Sequence, residues 1–175
     1  GEERRNLVRI NKIPDIMKKA VLAIEDDRFY QHSGVDYIGI LRAALHNLVS
    51  NNRQGASTIT QQVARNFFLT SEQTFKRKLY EVLLAWKIER TLTKDQILEI
   101  YLNQIYLGQR AFGFASAAQV YFGKPLQDIT LAEAAMLAGM FQSPVTYDPN
   151  LNPEQTEKRR QTVLKLMKRH NYITE

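Results

Sequence analysis

The stretch "FKRKLYEVLLAWKIER", residues 75 to 90, gives the clearest indication of the fold. Its apolar residues recur at the three- and four-residue spacing of an α-helix. They form a main stripe of Phe75, Leu79, Val82, Leu83 and Trp86. Further apolar residues flank Glu81 on the other side, so the helix is apolar nearly all round and is predicted to be buried. Glu81 is then an acid inside a core, or else the partner of Arg77 or Lys78 in a surface ion pair.

Helix signals recur along the rest of the chain. Thr93 to Gln96 and Thr130 to Glu133 each match a capping box ahead of an apolar run. Asn152 and Pro153 are typical of the cap and first residue of a further helix. Strict alternation is hard to find, and no linker or repeat marks a domain boundary. The sequence predicts one mainly α-helical domain over residues 1 to 175.

Composition narrows the classes of function. The 175 residues are enough for one sizeable core. There are no cysteines, which excludes a disulfide framework and thiolate metal sites. A net charge of +6 and a pI near 9.5 favour an anionic partner such as nucleic acid, phosphorylated lipid or an acidic membrane surface. No run of about 18 apolar residues occurs, and any membrane anchor is expected outside this segment.

A second stretch, "AIEDDRFYQH" (residues 23 to 32), places acids directly against apolar and aromatic residues. Burial of charge is costly, so the acids mark either a solvated helix end or a carboxylate held in a cleft for proton transfer. The second interpretation requires partner residues elsewhere in the chain.

The polar stretch "GASTITQQVARN" (residues 55 to 66) also has two interpretations. A serine or threonine could cap a helix that continues through Val63. Alternatively, uncapped amides at the helix start, the hydroxyl groups and Arg65 could hold a phosphate or a sugar.

An apolar stripe lies between Gly34 and Gly55 and consists of Ile38, Leu41, Leu45, Leu48 and Val49. Such a stripe is more often part of a core than of a membrane-facing surface. The three histidines lack the spacing of zinc ligands, and the chain has no nucleotide-binding loop or serine hydrolase elbow.

Five segments together resemble the five motifs of the peptidoglycan glycosyltransferases, glycosyltransferase family 51, in order and spacing. They are "EDDRFYQHSG" (25–34), "GASTITQQ" (55–62), "RKLYE" (77–81), "KDQILEIYLN" (94–103) and "RRQTVL" (159–164). The details most resemble the glycosyltransferase domain of class A penicillin-binding proteins.

The resemblance implies a lysozyme-like, two-lobed helical domain with a head and a membrane-proximal jaw at roughly residues 34 to 55. The apolar stripe would then dip into the outer leaflet of the membrane. The implied activity is polymerisation of lipid II into β-1,4-linked glycan strands, with inversion and release of undecaprenyl pyrophosphate, on the outer face of the bacterial cytoplasmic membrane. Moenomycin-type inhibitors are implied ligands, and nucleic acid is not.

The resemblance also implies roles for individual residues. Glu25 matches the catalytic base and Glu81 the second glutamate, which helps to position the pyrophosphate through basic groups or a divalent cation such as Mg²⁺ or Mn²⁺. No cofactor is required with certainty. The implied substrate-binding residues are Asp26, Arg42, Ser57, Thr58, Gln61, Gln62, Arg65, Arg77 and Lys78. Asn103 and Arg159 complete motifs with a largely architectural role.

Gln73 departs from the family pattern, because relatives commonly carry an arginine there as a further pyrophosphate contact. We expect Gln73→Arg to raise turnover, and equal rates of lipid II polymerisation would contradict this. Gln142 is a second departure, because relatives frequently carry a lysine at that position.

Two other classes of function compete with the glycosyltransferase: a basic helical module that binds nucleic acid through phosphates, and a lysozyme-like hydrolase. Longer rather than shorter glycan products would separate the polymerase from the hydrolase.

Overall fold

A computed structural model describes residues 4–5, 7–50, 55–69, 74–141 and 143–174. Its elements, in chain order, are β1 (Arg4–Arg5), α1 (Asp15–Glu25), α2 (Tyr37–Val49), α3 (Ile59–Phe68), α4 (Phe75–Thr91), α5 (Lys94–Gln104), β2 (Ala111–Phe112), α6 (Phe114–Phe122), α7 (Leu131–Met140) and α8 (Pro153–Arg169). Two 3₁₀ turns lie at Ile10–Lys12 and Leu126–Asp128. The mainly α-helical prediction is confirmed.

The chain forms two compact units. Unit 1 comprises Gly1–Asp27 and Glu99–Glu175, and unit 2 comprises Arg28–Leu98. Helix α5 begins in unit 2 and ends in unit 1. The single-domain prediction and the jaw boundaries stay predictions.

Small residues bring the helices of unit 1 close together. Helices α1, α7 and α8 pack on one another, and α7 buries a series of alanines on its inner side. A Cβ at Gly139 would lie 2.7 Å from Cγ of Arg159, so glycine is needed where α8 crosses α7. Arg159 Nε donates to the Gly139 carbonyl at 3.2 Å, and its guanidinium lies over the Tyr147 ring. These contacts fit an architectural role for Arg159.

The side-chain amide of Asn103 holds the amino-terminal segment of unit 1 through a pair of hydrogen bonds like those between neighbouring β-strands. Asn103 Oδ1 accepts from the Val8 amide at 2.6 Å, and Nδ2 donates to the Val8 carbonyl at 2.7 Å. Glu99 Oε2 accepts from the Ile10 amide at 2.9 Å. Upstream, β1 pairs with β2 in parallel, with Arg4 opposite Ala111. Asn103 therefore fixes the extended chain that leads into α1.

Helix α3 packs on α4 in unit 2, and both begin at threonine caps. Thr58 and Gln61 form a capping box at the start of α3. Asp36 caps α2 by accepting from the Gly39 amide at 3.0 Å. These caps satisfy amides that have no partner within the helix, so they fix where each helix starts.

The other cap predictions have mixed outcomes. Thr93 and Gln96 bond each other's amides at 3.2 and 2.9 Å, which confirms that capping box. The box of Thr130 and Glu133 is also present. Pro153 begins α8 as predicted, but Asn152 makes no side-chain cap. Asn152 is thus at the predicted N-cap position, but its Nδ2 donates to the Val145 carbonyl at 3.2 Å and its side chain accepts from no helix amide.

The prediction that α4 is buried all round is correct on one side only. Glu81, Ala85 and Ile88 are buried, whereas most of the main stripe is exposed, with Phe75 at 88% and Trp86 at 36%. Helix α3 packs on α4, and α4 buries only that narrow side with its acid and small residues. The sequence pattern identified the wrong side as the inner one.

The core interpretation of the α2 stripe is likewise wrong. Helix α2 buries only Ala43, and its apolar stripe is exposed, with Leu48 at 82% and Val49 at 87%. Within the described ranges, no helix is both long enough and apolar enough to cross a membrane.

Candidate active site

A lysine in unit 2 connects two of the motifs. Lys78, in the first turns of α4, places Nζ 2.8 Å from Glu81 Oε1 and 3.1 Å from Ser57 Oγ. An ammonium group has three protons, and these two contacts use two of them. The Lys78 side chain is 48% exposed, so the third proton is available to a ligand.

The carboxylate that Lys78 contacts is fully buried. Its second oxygen, Oε2, is also buried and has no hydrogen-bond partner among the described residues. Buried polar atoms without a partner are rare in folded proteins because each costs about 1 to 3 kcal/mol.

Both sequence interpretations of Glu81 are partly correct. Glu81 is an acid inside a core, and it is also the ion-pair partner of Lys78.

A capping box occupies the start of α3. Thr58 Oγ1 accepts from the Gln61 amide at 3.1 Å and donates to the Gly34 carbonyl at 2.7 Å. Gln61 Oε1 accepts from the Thr58 amide at 2.9 Å. The expectation of uncapped amides that hold a phosphate is therefore wrong for Gln61, because its amide already has a partner.

Unit 2 contains nine of the predicted site residues. Lys78 contacts Ser57 and Glu81, and Thr58 and Gln61 bond each other. Gln62 is buried, Arg65 and Arg77 are half-buried, and Arg42 is exposed on α2. The substrate-binding roles of these residues stay predictions.

Glu25 and Asp26 belong to unit 1. Glu25 is the last residue of α1, and its Oε1 is buried. Asp26 is buried at the C-cap, and its amide donates to the Leu22 carbonyl at 3.1 Å. The end of α1 thus holds two adjacent carboxylates at a fixed helix end.

Sequence reasoning missed a contact next to this helix end. His170, just past α8, places Nε2 3.5 Å from Asp27 Oδ2. Burial and, second, the charge of Asp27 raise the pKa of the nearby Tyr172. The two partners lie far apart in the sequence, and no local pattern links them.

Lys94 was also missed as a contact of the loop that follows α1. Its Nζ lies 2.6 Å from Glu89 Oε1 and 4.5 Å from the centre of the buried Phe29 ring. It is also 3.4 Å from Nδ1 of His32. In the sequence, Lys94 lies inside the capping box of Thr93 and Gln96. That pattern explains why a helix begins there, but it does not predict the contacts of Lys94 with Glu89, His32 and Phe29.

The residues around Glu81 do not fit a protein-held divalent cation. No group of three or more His, Cys, Asp or Glu able to hold a metal occurs in the described part of the chain. Mg²⁺ requires six oxygen ligands at close range, whereas the charge nearest Glu81 is the Lys78 ammonium. Gln73 and Gln142 lie outside the described residues.

Comparisons with known proteins point to one family. The sequence profile described as Transglycosylase matches residues 1–168. The chain is 58% identical over 175 residues to penicillin-binding protein 1A of Neisseria gonorrhoeae, which covers 99% of this chain and 22% of that protein. It is 56% identical over 160 residues to a protein of Cupriavidus necator named as a transglycosylase, covering 91% of this chain and 69% of that one.

A solved structure gives the same result for the fold. The crystal structure of penicillin-binding protein 1A from Haemophilus influenzae aligns with a TM-score of 0.59 at 27% identity. The alignment covers all of this chain and 17% of that one. The chain thus spans about a fifth of the length of the penicillin-binding proteins it matches.

Proposed function

The chain belongs to the transglycosylase family, and we propose that it polymerises lipid II into β-1,4-linked glycan strands and releases undecaprenyl pyrophosphate. Family membership makes it a glycosyltransferase of peptidoglycan synthesis. The proposal adds the substrate, the leaving group and the residues that act on them.

Glu25 is the general base of the proposed reaction. The 4-hydroxyl oxygen of the acceptor N-acetylglucosamine attacks C1 of the donor N-acetylmuramic acid, and Glu25 takes the hydroxyl proton. The bond between C1 and the pyrophosphate oxygen breaks, and its electron pair leaves with the pyrophosphate. Because this is one displacement, the α-linked donor gives a β-linked product. The position of Glu25 at the end of α1, where the helix and the burial of Oε1 hold the side chain in place, supports this role.

The contact of Lys78 with both Ser57 and Glu81 carries the proposal for the leaving group. Two acceptors fix the ammonium, and its remaining proton points to a half-exposed position where a phosphate oxygen can accept it. A positioned cation stabilises the negative charge that develops as the pyrophosphate leaves. Arg42, Arg65 and Arg77 add positive charge to unit 2.

Glu81 acts through its partner in this scheme. Its Oε1 accepts from Lys78 and holds the ammonium in place, and because the carboxylate is fully buried, its own position is fixed by the core. In this proposal Lys78 supplies the positive charge that a divalent cation near Glu81 would otherwise supply.

We place the chain on the outer face of the bacterial cytoplasmic membrane through helix α2. A stripe of exposed apolar side chains is costly in water and favourable at a lipid interface. Ile38, Leu41, Leu45, Leu48 and Val49 form such a stripe. Lipid II carries its sugars on a lipid, so a domain at the interface meets the substrate where it resides. Moenomycin-type inhibitors would compete there.

Incubation with lipid II, followed by analysis of product length, tests the proposed function. We expect wild type to form polymer and Glu25→Gln to lose about three orders of magnitude in rate, because glutamine keeps the shape and cannot take the proton. Asp15→Asn is the matched control, since it makes the same chemical change at an exposed position of α1. Shorter glycan products, or full activity of Glu25→Gln, would overturn the proposal.

A further inference from the structure

The carboxyl end of α1 has a charge pattern that works against a helix. Three carboxylates follow one another there, at Glu25, Asp26 and Asp27, and the last turn of α1 brings no basic residue to offset them. The carboxyl end of a helix carries a partial negative charge, and its last carbonyl groups have no partners inside the helix. Contacts from outside α1 are therefore needed to hold the helix end on which Glu25 lies.

The end of α8 is fixed by its own backbone. Asn171 follows α8 with a φ of +61°. Its amide donates to the Lys168 carbonyl at 3.0 Å, and the amide of Tyr172 donates to the Met167 carbonyl at 2.9 Å. This pair of hydrogen bonds is the Schellman arrangement that closes many helices. The turn therefore holds the two residues on either side of Asn171, which are His170 and Tyr172, in defined positions.

Both of these side chains lie beside Asp27, and all three residues belong to unit 1. His170 Nε2 is 3.5 Å from Asp27 Oδ2. Burial and, second, the charge of Asp27 raise the pKa of Tyr172, so its phenol lies within electrostatic reach of the same carboxylate. The centres of the His170 and Tyr172 rings are 5.9 Å apart. The end of α8 thus brings two rings to the third carboxylate at the end of α1.

We propose that His170 is a positioning residue for the reaction: it holds Asp27, and with it the end of α1. The inference rests on the proposed function, because that function assigns the proton transfer to Glu25. A general base has to lie within hydrogen-bond reach of the hydroxyl group from which it takes the proton. Asp27 lies two residues after Glu25, so a shift of one moves the other. A displacement of about 1 Å can lower a rate by about a hundredfold.

A purely structural tie between α1 and α8 is the competing explanation. The two helices pack on each other, and each buries apolar side chains, among them Val21 on α1 and Val163 on α8. The contact between His170 and Asp27 is partly exposed, since the two side chains are 27% and 20% accessible. Partly exposed polar pairs contribute little to stability. Loss of this contact should therefore change the reaction rate more than the unfolding temperature.

Steady-state kinetics of lipid II polymerisation test the inference. We expect His170→Ala to lower kcat by about tenfold or more and to leave KM within about twofold, because His170 acts on the base and not on the substrate. Its thermal midpoint should fall by no more than about 2 °C. Asp27→Ala should lose as much in kcat, and the double variant should lose no more than either single variant, since both residues act through one contact.

Two further variants serve as controls. Arg169→Ala makes the same truncation at the exposed neighbouring residue of α8 and should keep the wild-type kcat. His170→Arg should keep at least about half of it, because a guanidinium group can pair with the Asp27 carboxylate. An unchanged kcat in His170→Ala, a loss expressed in KM alone, an equal loss in Arg169→Ala, or additive losses in the double variant would overturn the inference.

Amide hydrogen exchange separates this inference from the proposed function, because it needs no substrate. The Asp26 amide donates to the Leu22 carbonyl at 3.1 Å, so its exchange reports local opening at the end of α1. We expect about tenfold faster exchange in His170→Ala than in wild type. Faster exchange with an unchanged kcat would make the contact a structural tie and refute the positioning role.

The remaining outcomes assign failure to one proposal or the other. If His170→Ala matches wild type in exchange and in kcat while Glu25→Gln is inactive, the positioning role fails and the proposed function stands. If exchange is faster in His170→Ala but wild type forms no polymer, the proposed function fails and takes the catalytic part of this inference with it. The contact that holds the end of α1 then still stands.

Discussion

Lys78 Nζ lies 2.8 Å from Glu81 Oε1, and the two partners differ sharply in exposure: the glutamate is fully buried, whereas the lysine side chain is 48% exposed. The pair is separated by a single helical turn, so its geometry is fixed by α4 itself. The half-exposed lysine thus neutralises a carboxylate inside the core, and we expect removal of the lysine to lower stability.

We expect Lys78→Met to lower the free energy of unfolding by about 2 kcal/mol, because it leaves the buried carboxylate without its cation. Adding Glu81→Gln should restore most of this loss, since no buried charge then remains. Urea unfolding of the two single variants and the double variant measures the coupling. Lys87→Met on the same helix is the control and should change little. Equal losses in the single and double variants would contradict the coupling.

Replacing Leu45 and Leu48 on α2 with serine should weaken liposome binding by at least about tenfold, because apolar burial in lipid contributes about 0.8 kcal/mol per CH₂ group. Both side chains are exposed, so the circular dichroism spectrum and thermal midpoint should hardly change. Val145→Ser with Leu151→Ser makes a similar change at two exposed apolar positions of unit 1 and serves as control. Unchanged co-sedimentation of the α2 variant would refute the membrane assignment.

Gly113→Ala should destabilise unit 1 by about 3 kcal/mol. Gly113 has a φ of +84°, and a Cβ there would lie 2.3 Å from the Asn103 carbonyl oxygen, a backbone atom that cannot rotate away. Gly123→Ala is the matched control, with a φ of +62° and no atom within 4 Å of its Cβ. It should cost only about 1 kcal/mol. Chemical denaturation compares them, and equal costs would show that the Asn103 contact does not matter.

Glu133→Gln should destabilise unit 1 at neutral pH and not in acid. The hydrogen bond from the Lys124 side chain, followed by that from the Thr130 amide, lowers the pKa of Glu133. A carboxyl group with a lowered pKa in the folded state stabilises the protein above its unfolded pKa, and this contribution is lost as the pH falls through the folded pKa.

The difference in unfolding free energy between wild type and Glu133→Gln should therefore be present at pH 7 and be lost in acid, once the pH has fallen below the lowered pKa of Glu133. Glutamine still fits the capping box, so the comparison isolates the charge. A difference that is the same at both values of pH would show that the carboxylate charge contributes nothing.

The sequence predicted helices and most of their caps correctly because these depend on neighbours within one turn. Thr58, Thr93 and Thr130 each bond an amide three residues away. The same local logic placed Lys78 near Glu81. Asn152 lies at the predicted N-cap position, but its side-chain amide is oriented by a hydrogen bond to the Val145 carbonyl, seven residues earlier, which the local pattern does not reveal.

What the sequence could not predict depends on partners remote in the chain. Helix α3 packs on α4 and decides which side of α4 is buried. Because α4 carries apolar residues nearly all round, its sequence alone does not show which side that is. The contacts of Lys94 with Phe29 and of His170 with Asp27 join residues 65 and 143 positions apart, as their numbering shows. No local spacing rule links such pairs, and the tertiary structure alone reveals them.

The assembly of unit 1 from two separated stretches of the chain sets the order in which its parts can fold. Helix α1 packs on α7 and α8, which lie about 100 residues later in the sequence. Until those helices are present, the apolar side of α1, with Met17 and Val21, has nothing to cover it. Unit 2 is one continuous stretch and can fold before them. We therefore expect α1 to be the segment that most needs protection while the chain folds.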